Sequence, residues 1–198
     1  MHVRQSLKCL VLLLGSSSIT SAMAETLTVE LDGSGDYVSI LDAVEAANKG
    51  DFIFVGPGTY AEDIIEMPGW PLFLISTDGA ATTIIEPIDS LDPIFVCESG
   101  NFGTVLIGGF TLTECDVDED GGALRISNGS RAIVGDCIFT GNSTGGSGGG
   151  AWVDVDSFAQ FSRCRFEENT AFVHGGGVAH LSPDSVVLER CLFIGNQA

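Results

Sequence analysis

The sequence predicts an all-β fold, a single-stranded parallel β-helix with an N-terminal capping helix, and three observations predict it. The segment CIFTGN at Cys137 returns as CRFEEN at Cys164 and as CLFIGN at Cys191, a constant step of 27 residues. Apolar positions within each repeat are spaced by two, three and two, which fits strands joined by a bend better than a helix. Short repeats of fixed period cannot bury their own apolar faces and must stack on their neighbours.

The first 24 residues have the features of a cleaved secretory signal. Arg4 and Lys8 provide a basic start, CLVLLLG is a short apolar run, and Ala22 and Ala24 suit a signal peptidase. The apolar run is far shorter than the roughly 20 residues that a transmembrane helix needs. We therefore expect cleavage after Ala24, a secreted or cell-surface protein, and no membrane span.

The chain is strongly acidic. Its formal charge is −19, and loss of the signal removes two of its eight basic residues and none of its 27 acidic ones, which gives −21. Such a surface repels nucleic acid and anionic membranes. Neutral glycans, calcium and salt are the more compatible partners, and an equally good explanation is solubility in a salty medium.

The next segment carries one helix and then several strands. YVSILDAVEAANKG has apolar residues at helical spacing before Gly50, which predicts a helix over about 37–49 that covers the first coil. The runs DFIFVGPGTY, WPLFLIS, TTIIEP and DPIFVCE read as strands bounded by turn residues.

Regular coils of 27 residues follow over about 104–198. Equal spacing stacks equivalent residues of successive coils about 4.8 Å apart, so that phenylalanines form an aromatic ladder and asparagines an amide ladder. Cysteine in this series acts as a small apolar residue, and the odd number of cysteines after the signal does not suggest a disulfide framework. We therefore expect these residues to be required for the stacking of the coils and not for chemistry. The predicted ladder consists of Cys137, Cys164, Cys191, Phe139, Phe166, Phe193, Asn142, Asn169 and Asn196.

The last coil ends at Ala198, two residues after a ladder asparagine, without an element that would close the stack. An open parallel edge invites association. Either the chain is a fragment of a longer protein, truncated at its C-terminus, or the last coil packs against a partner.

Two family resemblances follow from these segments. DGSGDYVSILDAVEAA, GPGTYAE and GGALRISNGSRAIVGDCIFTGN resemble pectin methylesterases and, more widely, the pectin-lyase-like proteins, which implies a right-handed parallel β-helix. The resemblance does not extend to the catalytic residues of the methylesterases, because Gly122, Asn142, Ser143 and Thr144 stand where that family carries them.

The coils also resemble polymorphic outer membrane protein repeats, which combine a GGA(I/L/V) segment with an FxxN segment. GGAL pairs with FTGN, GGGAWV with FEEN, and GGGV with FIGN. This resemblance implies adhesion at a cell surface, although corner and core residues specify a fold better than a function.

The best candidate for a metal site is DVDEDG, with Asp116, Asp118 and Asp120 at alternating positions. Several oxygens in a glycine-ended loop suit calcium, and the alternative is a solvated acidic turn. Lyases of the pectin-lyase-like fold pair such an acidic cluster with a basic residue, and this resemblance implies that Arg125, which follows the turn, is the base of a calcium-dependent lyase. The alternative is that Arg125 is one of the charged residues of a wet strand face.

The sequence leaves two functions open. The first is a non-enzymatic surface module, adhesin-like or glycan-binding, with no catalytic residue, no cofactor, and a polysaccharide or cell-surface partner. The second is a carbohydrate-active enzyme of the pectin-lyase-like class, a polysaccharide lyase that uses calcium. Trp70 and Trp152 would suit sugar binding if exposed, and buried corners otherwise.

Overall fold

The fold is a right-handed parallel β-helix of about six turns, and it confirms the predicted fold class. The computed structural model describes residues 24–100 and 103–198, so the predicted signal segment, apart from Ala24, lies outside the described residues. The N-terminal elements are β1 (Thr26–Val29), α1 (Ile40–Ala46), β2 (Phe52–Val55), β3 (Gly58–Glu62), β4 (Ile65–Glu66), β5 (Phe73–Ser76), β6 (Thr83–Pro87) and β7 (Phe95–Cys97).

The remaining strands belong to the regular coils. Each full coil contributes one strand to each sheet of the solenoid, and the strands of successive coils pair in parallel. These strands are β8 (Thr104–Gly108), β9 (Thr111–Thr113), β10 (Asp116–Val117), β11 (Leu124–Ile126), β12 (Arg131–Gly135), β13 (Ile138–Thr140), β14 (Ser143–Thr144), β15 (Ala151–Val153), β16 (Phe158–Ser162), β17 (Arg165–Glu167), β18 (Thr170–Ala171), β19 (Val178–His180), β20 (Val186–Glu189) and β21 (Leu192–Ile194).

In the described part of the chain, four sheets run along the axis. The seven-stranded sheet has the order β1-β2-β5-β8-β12-β16-β20, and the six-stranded sheet has the order β21-β17-β13-β9-β6-β3. The five-stranded sheet is β19-β15-β11-β7-β4, and the three-stranded sheet is β10-β14-β18. Residues 27 apart are direct partners in the regular coils, as Ala132 and Ala159 show.

The bends between strands depend on single residues in the left-handed backbone region. Asp136 and Arg163 have φ of 54° and 56° at the corner between the seven-stranded and six-stranded sheets. Glu168 has φ of 54° at the next corner, directly before Asn169. A left-handed residue lets the strand turn and still direct the next apolar side chain inward, which explains the spacing of three.

The helix α1 is shorter than the predicted range of about 37–49. The backbone of Tyr37 instead pairs with β1, donating to Thr28 O at 3.0 Å and accepting from Glu30 N at 2.9 Å. Ser39 is the N-cap, and the buried carboxylate of Glu62 accepts from Ile40 N at 2.6 Å and from Ser39 Oγ at 2.8 Å. The helix packs against β1 to β4 at the N-terminal end of the solenoid.

The inward side chains form a continuous core along the axis. Its members include Val134, Phe139, Phe161 and Phe166, all fully buried. In the last coil the equivalent residues are half exposed, with Leu188 at 47% and Phe193 at 43%. No helix among residues 24–100 and 103–198 is long and apolar enough to cross a membrane.

Candidate functional site

The ladder residues form columns along the axis, which are buried except in the last coil, where Cys191, Phe193 and Asn196 are partly exposed. The ring centroids of Phe139 and Phe166 are 4.6 Å apart, and those of Phe166 and Phe193 are 4.8 Å apart, with nearly parallel planes. The Nδ2 atom of Asn142 donates to Asn169 Oδ1 at 3.0 Å. These stacks hold successive coils in register.

The cysteine column is also interior. Cys137 and Cys164 are buried, whereas Cys191 in the last coil is partly exposed, and the cysteines in the described part of the chain are free thiols. Burial raises the pKa of the Cys137 and Cys164 thiols to about 12, so both remain protonated at neutral pH.

The acidic turn does not bring its three carboxylates together. Asp116 and Asp118 are exposed, while Asp120 turns to the next coil, where its Oδ1 accepts from Ser147 N at 2.6 Å. Within residues 24–100 and 103–198, no group of three or more His, Cys, Asp or Glu side chains is placed to hold a metal ion. The grouping that the alternating aspartates predicted is not formed among these residues.

The principal candidate site is a groove on the outer face of the seven-stranded sheet. It has a volume of about 630 Å³. Strand residues supply the floor, the loop 76–79 supplies one wall, and an arginine–aspartate pair supplies polar groups at the rim. Its lining consists of Ile75, Ser76, Thr77, Asp78, Gly79, Leu106, Gly108, Gly109, Ile133, Gly135, Asp136, Gln160, Ser162 and Arg163.

The floor of the groove follows from the strand register. Leu106 pairs with Ile133, and two residues further on Gly108 pairs with Gly135, so apolar side chains lie beside a strip of bare backbone. A Cβ atom added to Gly135 would meet only Ser162 O, at 3.9 Å, which leaves open space above this position. The groove therefore has an apolar half and a half that exposes the sheet backbone.

An apolar stripe leads into this groove from the N-terminal coils. Phe52 pairs with Phe73, and their rings stack with centroids 4.4 Å apart. Phe73 pairs with Leu106, which pairs with Ile133. We call these four residues the apolar stripe. Aromatic and aliphatic surface on a flat sheet suits the apolar faces of sugar rings.

The loop 76–79 is held rigidly at the edge of the groove. Ser76 Oγ lies 2.7 Å from Thr83 Oγ1 and accepts from the backbone N–H groups of Asp78 and Gly79, at 3.2 Å and 2.9 Å. The Oγ1 atom of Thr77 donates to Asp78 Oδ2 at 2.6 Å. The wall is thus tied together by hydrogen bonds among its own residues.

The polar rim of the groove is a bidentate ion pair. Arg163 Nε donates to Asp136 Oδ1 at 2.7 Å, and Nη2 donates to Oδ2 at 2.6 Å. The hydrogen bonds from Arg163 hold the pKa of the Asp136 carboxyl below its ordinary value, so that carboxylate stays ionised. Both of its oxygens are engaged, and this state does not suit a general acid.

Sequence reasoning did not find this groove. Asp136 and Arg163 occupy the same corner one period apart, and Gly108 and Gly135 are likewise 27 residues apart. Reading the outward positions at the same period as the inward ones would have revealed both pairs. Arg125, which the sequence did single out, lies on a different face, in the five-stranded sheet.

Comparison with known proteins gives a family and distant structural similarity. A family model described as right handed beta helix region matches residues 95–198. The crystal structure of the pectin methylesterase from Aspergillus niger, in a penultimately deglycosylated form, is similar over 90% of this chain and 87% of that chain. The identity is 15% and the TM-score 0.38, too low to carry anything from that enzyme to this chain. No curated protein matches the sequence.

Proposed function

This chain belongs to the right-handed β-helix family, and from that premise we propose that it is a non-enzymatic module that binds neutral glycans in the groove of the seven-stranded sheet. The observation that carries the proposal is the floor of the groove. Leu106 and Ile133 offer apolar surface, and Gly108 and Gly135 leave room for a ring directly above the sheet. A volume of about 630 Å³ is within the usual range for small-molecule sites.

Charge supports a neutral ligand. Asp78 and Asp136 lie in the groove with Arg163 as the cation, and the chain as a whole carries −19. A polyanionic sugar chain would meet repulsion from both the groove and the whole molecule. Hydroxyl groups both donate and accept, so a neutral glycan can bond to the carboxylates and to the guanidinium at once.

The state of Asp136 argues against glycoside hydrolysis with this residue as the acid. Glycoside hydrolysis requires one carboxyl group that keeps its proton and can give it to the leaving group. Asp136 has the opposite property, because Arg163 lowers its pKa and occupies both oxygens. The pair is suited to orienting a ligand.

Export and display at a cell surface form part of the proposal. The support is the basic, apolar and small-residue order of the first 24 residues and the likeness of the coils to polymorphic outer membrane protein repeats. Sequencing the N-terminus of the protein recovered outside the cytoplasm would test it. A protein that keeps Met1 and stays in the cytoplasm would contradict it.

The binding site is tested by filling the groove. Gly135→Leu places a side chain on the floor without backbone strain, since a Cβ atom there makes an ordinary contact. We expect neutral hexose oligosaccharides, measured by titration calorimetry, to bind the unmodified protein and to bind this variant at least about 10-fold more weakly. The matched control is Thr140→Leu, which adds the same side chain to the outward face of the six-stranded sheet.

Equal binding by the unmodified protein and Gly135→Leu would contradict the assignment to this groove. The enzymatic alternative is tested with polygalacturonate and alginate in the presence of calcium, by the ultraviolet absorbance of unsaturated products. Steady formation of such products would show that the protein is a lyase and would contradict the proposed binding function.

A further inference from the structure

A separate cleft lies beside α1, at the N-terminal end of the five-stranded sheet. It has a volume of about 400 Å³ and shares no residue with the groove of the seven-stranded sheet. The helix α1 supplies one part of the lining, and β4 with the loop 67–70 that follows it supplies another. The lining residues include Val44, Glu45, Glu66, Met67, Gly69 and Trp70.

The loop 67–70 is tied to the next coil at two points. Met67 N donates to Val96 O at 2.7 Å. Gly69 lies so close to the same coil that a Cβ atom there would come within 2.9 Å of Ser99 O. These contacts hold the backbone that precedes Trp70 in place at the edge of the cleft.

Trp70 is the accessible aromatic residue of the cleft. It is 41% exposed, so a ligand can reach the indole ring, whereas Trp152 is only 9% exposed. The apolar residues Val44 and Met67 also line the cleft and are almost fully buried. The face of an aromatic ring attracts cations, and tryptophan attracts them most strongly. The ring therefore favours a ligand that combines positive charge with apolar surface.

Two exposed carboxylates belong to the same lining, and neither is paired with a cation. Glu45 and Glu66 take part in none of the ion pairs formed within residues 24–100 and 103–198. Lys49 lies four residues after Glu45 and would be its neighbour in a longer helix, but α1 ends at Ala46. The cleft thus presents negative charge beside an accessible aromatic ring.

The negative charge of the chain is concentrated in the segment that forms this cleft. Residues 25–124 carry 20 acidic side chains and one basic side chain, whereas residues 125–198 carry seven and five. Such an imbalance repels anions from this part of the molecule and attracts cations to it. A metal ion does not suit the lining, because no group of three or more ligating side chains forms in the part of the chain that the structure describes.

We propose that this cleft binds a small organic ammonium ion whose nitrogen carries apolar substituents. The substituents pack on the ring of Trp70, and the positive charge is balanced by the carboxylates of Glu45 and Glu66. A neutral ligand of the same shape gains only the apolar contact, because it lacks the attraction to the ring and to the carboxylates. An anion is repelled.

The test compares choline with 3,3-dimethylbutan-1-ol, which keeps the shape of choline but has a carbon atom in place of the charged nitrogen. In ¹⁵N-labelled protein at about 0.1 M salt, which screens long-range attraction, the Trp70 indole N–H and Gly69 amide resonances are followed during each titration. We expect choline to shift both resonances saturably, with a dissociation constant on the order of millimolar. The neutral alcohol should bind about 10-fold more weakly or less tightly still.

Glu66→Gln and Glu86→Gln are the matched variants, because each removes one negative charge. Glu66 lines the cleft, whereas Glu86 lies on β6 in the six-stranded sheet. We expect choline binding to weaken about 3-fold or more in the first variant and to stay unchanged in the second. Trp70→Leu keeps an apolar side chain but removes the aromatic face, so it should weaken binding about 10-fold, read from the Gly69 amide.

Three results would overturn the proposal. They are no saturable shift with choline, an equal response to the neutral alcohol, and choline binding that Glu66→Gln and Trp70→Leu leave unchanged. Gly135→Leu, which fills the groove of the seven-stranded sheet, should leave choline binding intact, so the cleft and the glycan groove are tested independently.

Vesicles of phosphatidylcholine distinguish a soluble ammonium ion from a lipid headgroup. The phosphate of the lipid would meet the acidic part of the chain, so we expect no cosedimentation with the vesicles, which supports a soluble ligand. Cosedimentation that free choline abolishes would support the same ammonium chemistry in the cleft with the headgroup as its source.

Discussion

Asn169→Ala tests how much the amide ladder contributes to the stability of the solenoid. Asn169 is fully buried, and its side chain makes four hydrogen bonds. Its Nδ2 donates to Phe139 O at 2.9 Å and to Asn196 Oδ1 at 2.9 Å. Its Oδ1 accepts from the backbone N–H of Asn142 at 3.1 Å and from Asn142 Nδ2 at 3.0 Å.

The magnitude follows from the groups that lose their partners. Alanine leaves the Phe139 carbonyl and the Asn142 backbone N–H without these partners in the interior. At about 1–3 kcal/mol for each buried unsatisfied group, the free energy of unfolding should fall by about 2–6 kcal/mol. Asn142 Nδ2 keeps its bond to Leu112 O at 3.0 Å, so it adds little to this loss.

Asn196→Ala is the matched control, because the same ladder position in the last coil is only partly buried. Removing this partly exposed side chain opens the Asn169 N–H and the Phe166 carbonyl to water. We therefore expect the free energy of unfolding to fall by about 1 kcal/mol or less. Urea unfolding followed by circular dichroism, with the slope checked for constancy, measures both variants. Equal losses, or a loss below about 1 kcal/mol for Asn169→Ala, would refute the reasoning.

Three further predictions concern the interior columns. Phe166→Ala should cost about 3–5 kcal/mol in urea unfolding and Phe193→Ala less than half of that, because Phe166 is fully buried and Phe193 is 43% exposed. Iodoacetamide at neutral pH should modify Cys191 in the folded protein but Cys137 and Cys164 only after unfolding, as mass spectrometry would show. The contribution of the buried Cys137 and Cys164 thiols to stability should be constant below about pH 9 and should fall between pH 9 and pH 12. Burial raises the pKa of the Cys137 and Cys164 thiols from 9.0 to about 12, so above pH 9 the unfolded chain loses these protons while the folded chain keeps them.

Each of these has its own contrary result. Similar losses for the two phenylalanine variants would show that the aromatic column does not depend on burial. Native modification of Cys164 at the rate of Cys191 would place that thiol at the surface. For the pH profile, the control is the double variant Cys137→Ala, Cys164→Ala. Burial also raises the pKa of the Cys97 and Cys115 thiols to about 12, so the slope should become shallower without vanishing, and an unchanged slope would exclude Cys137 and Cys164 as its cause.

The interior of the fold was predictable from the sequence because its physical requirement repeats. A stack of equal coils needs the same side chain at the same place in each turn, so Phe139 and Asn142 identify their partners by counting 27 residues. The length of the helix was less predictable. Pairing of the Tyr37 backbone with β1 is a tertiary contact that overrides the local helical spacing.

The outer faces do not repeat in this way. At one outward position of the seven-stranded sheet, successive coils carry Leu106, Ile133 and Gln160, so the 27-residue period marks the glycine pair and the ion pair of the groove but not its apolar side chains. The surroundings of the acidic turn were likewise not readable from the sequence. Alternating aspartates resemble metal ligands, but only the stacked structure shows that the Ser147 N–H of the next coil takes one of the Asp120 oxygens.

The most direct test of the functional account is to map ligand contacts on the unmodified protein by amide chemical shifts. Glycine amides resonate apart from most others, and Gly108 and Gly135 lie on the floor of the groove. Titration with a neutral hexose oligosaccharide should move these two signals and those of Leu106 and Ile133 while leaving the outer face of the six-stranded sheet unchanged. The account would be contradicted by saturable binding that shifts signals on another face and leaves both glycine signals unchanged.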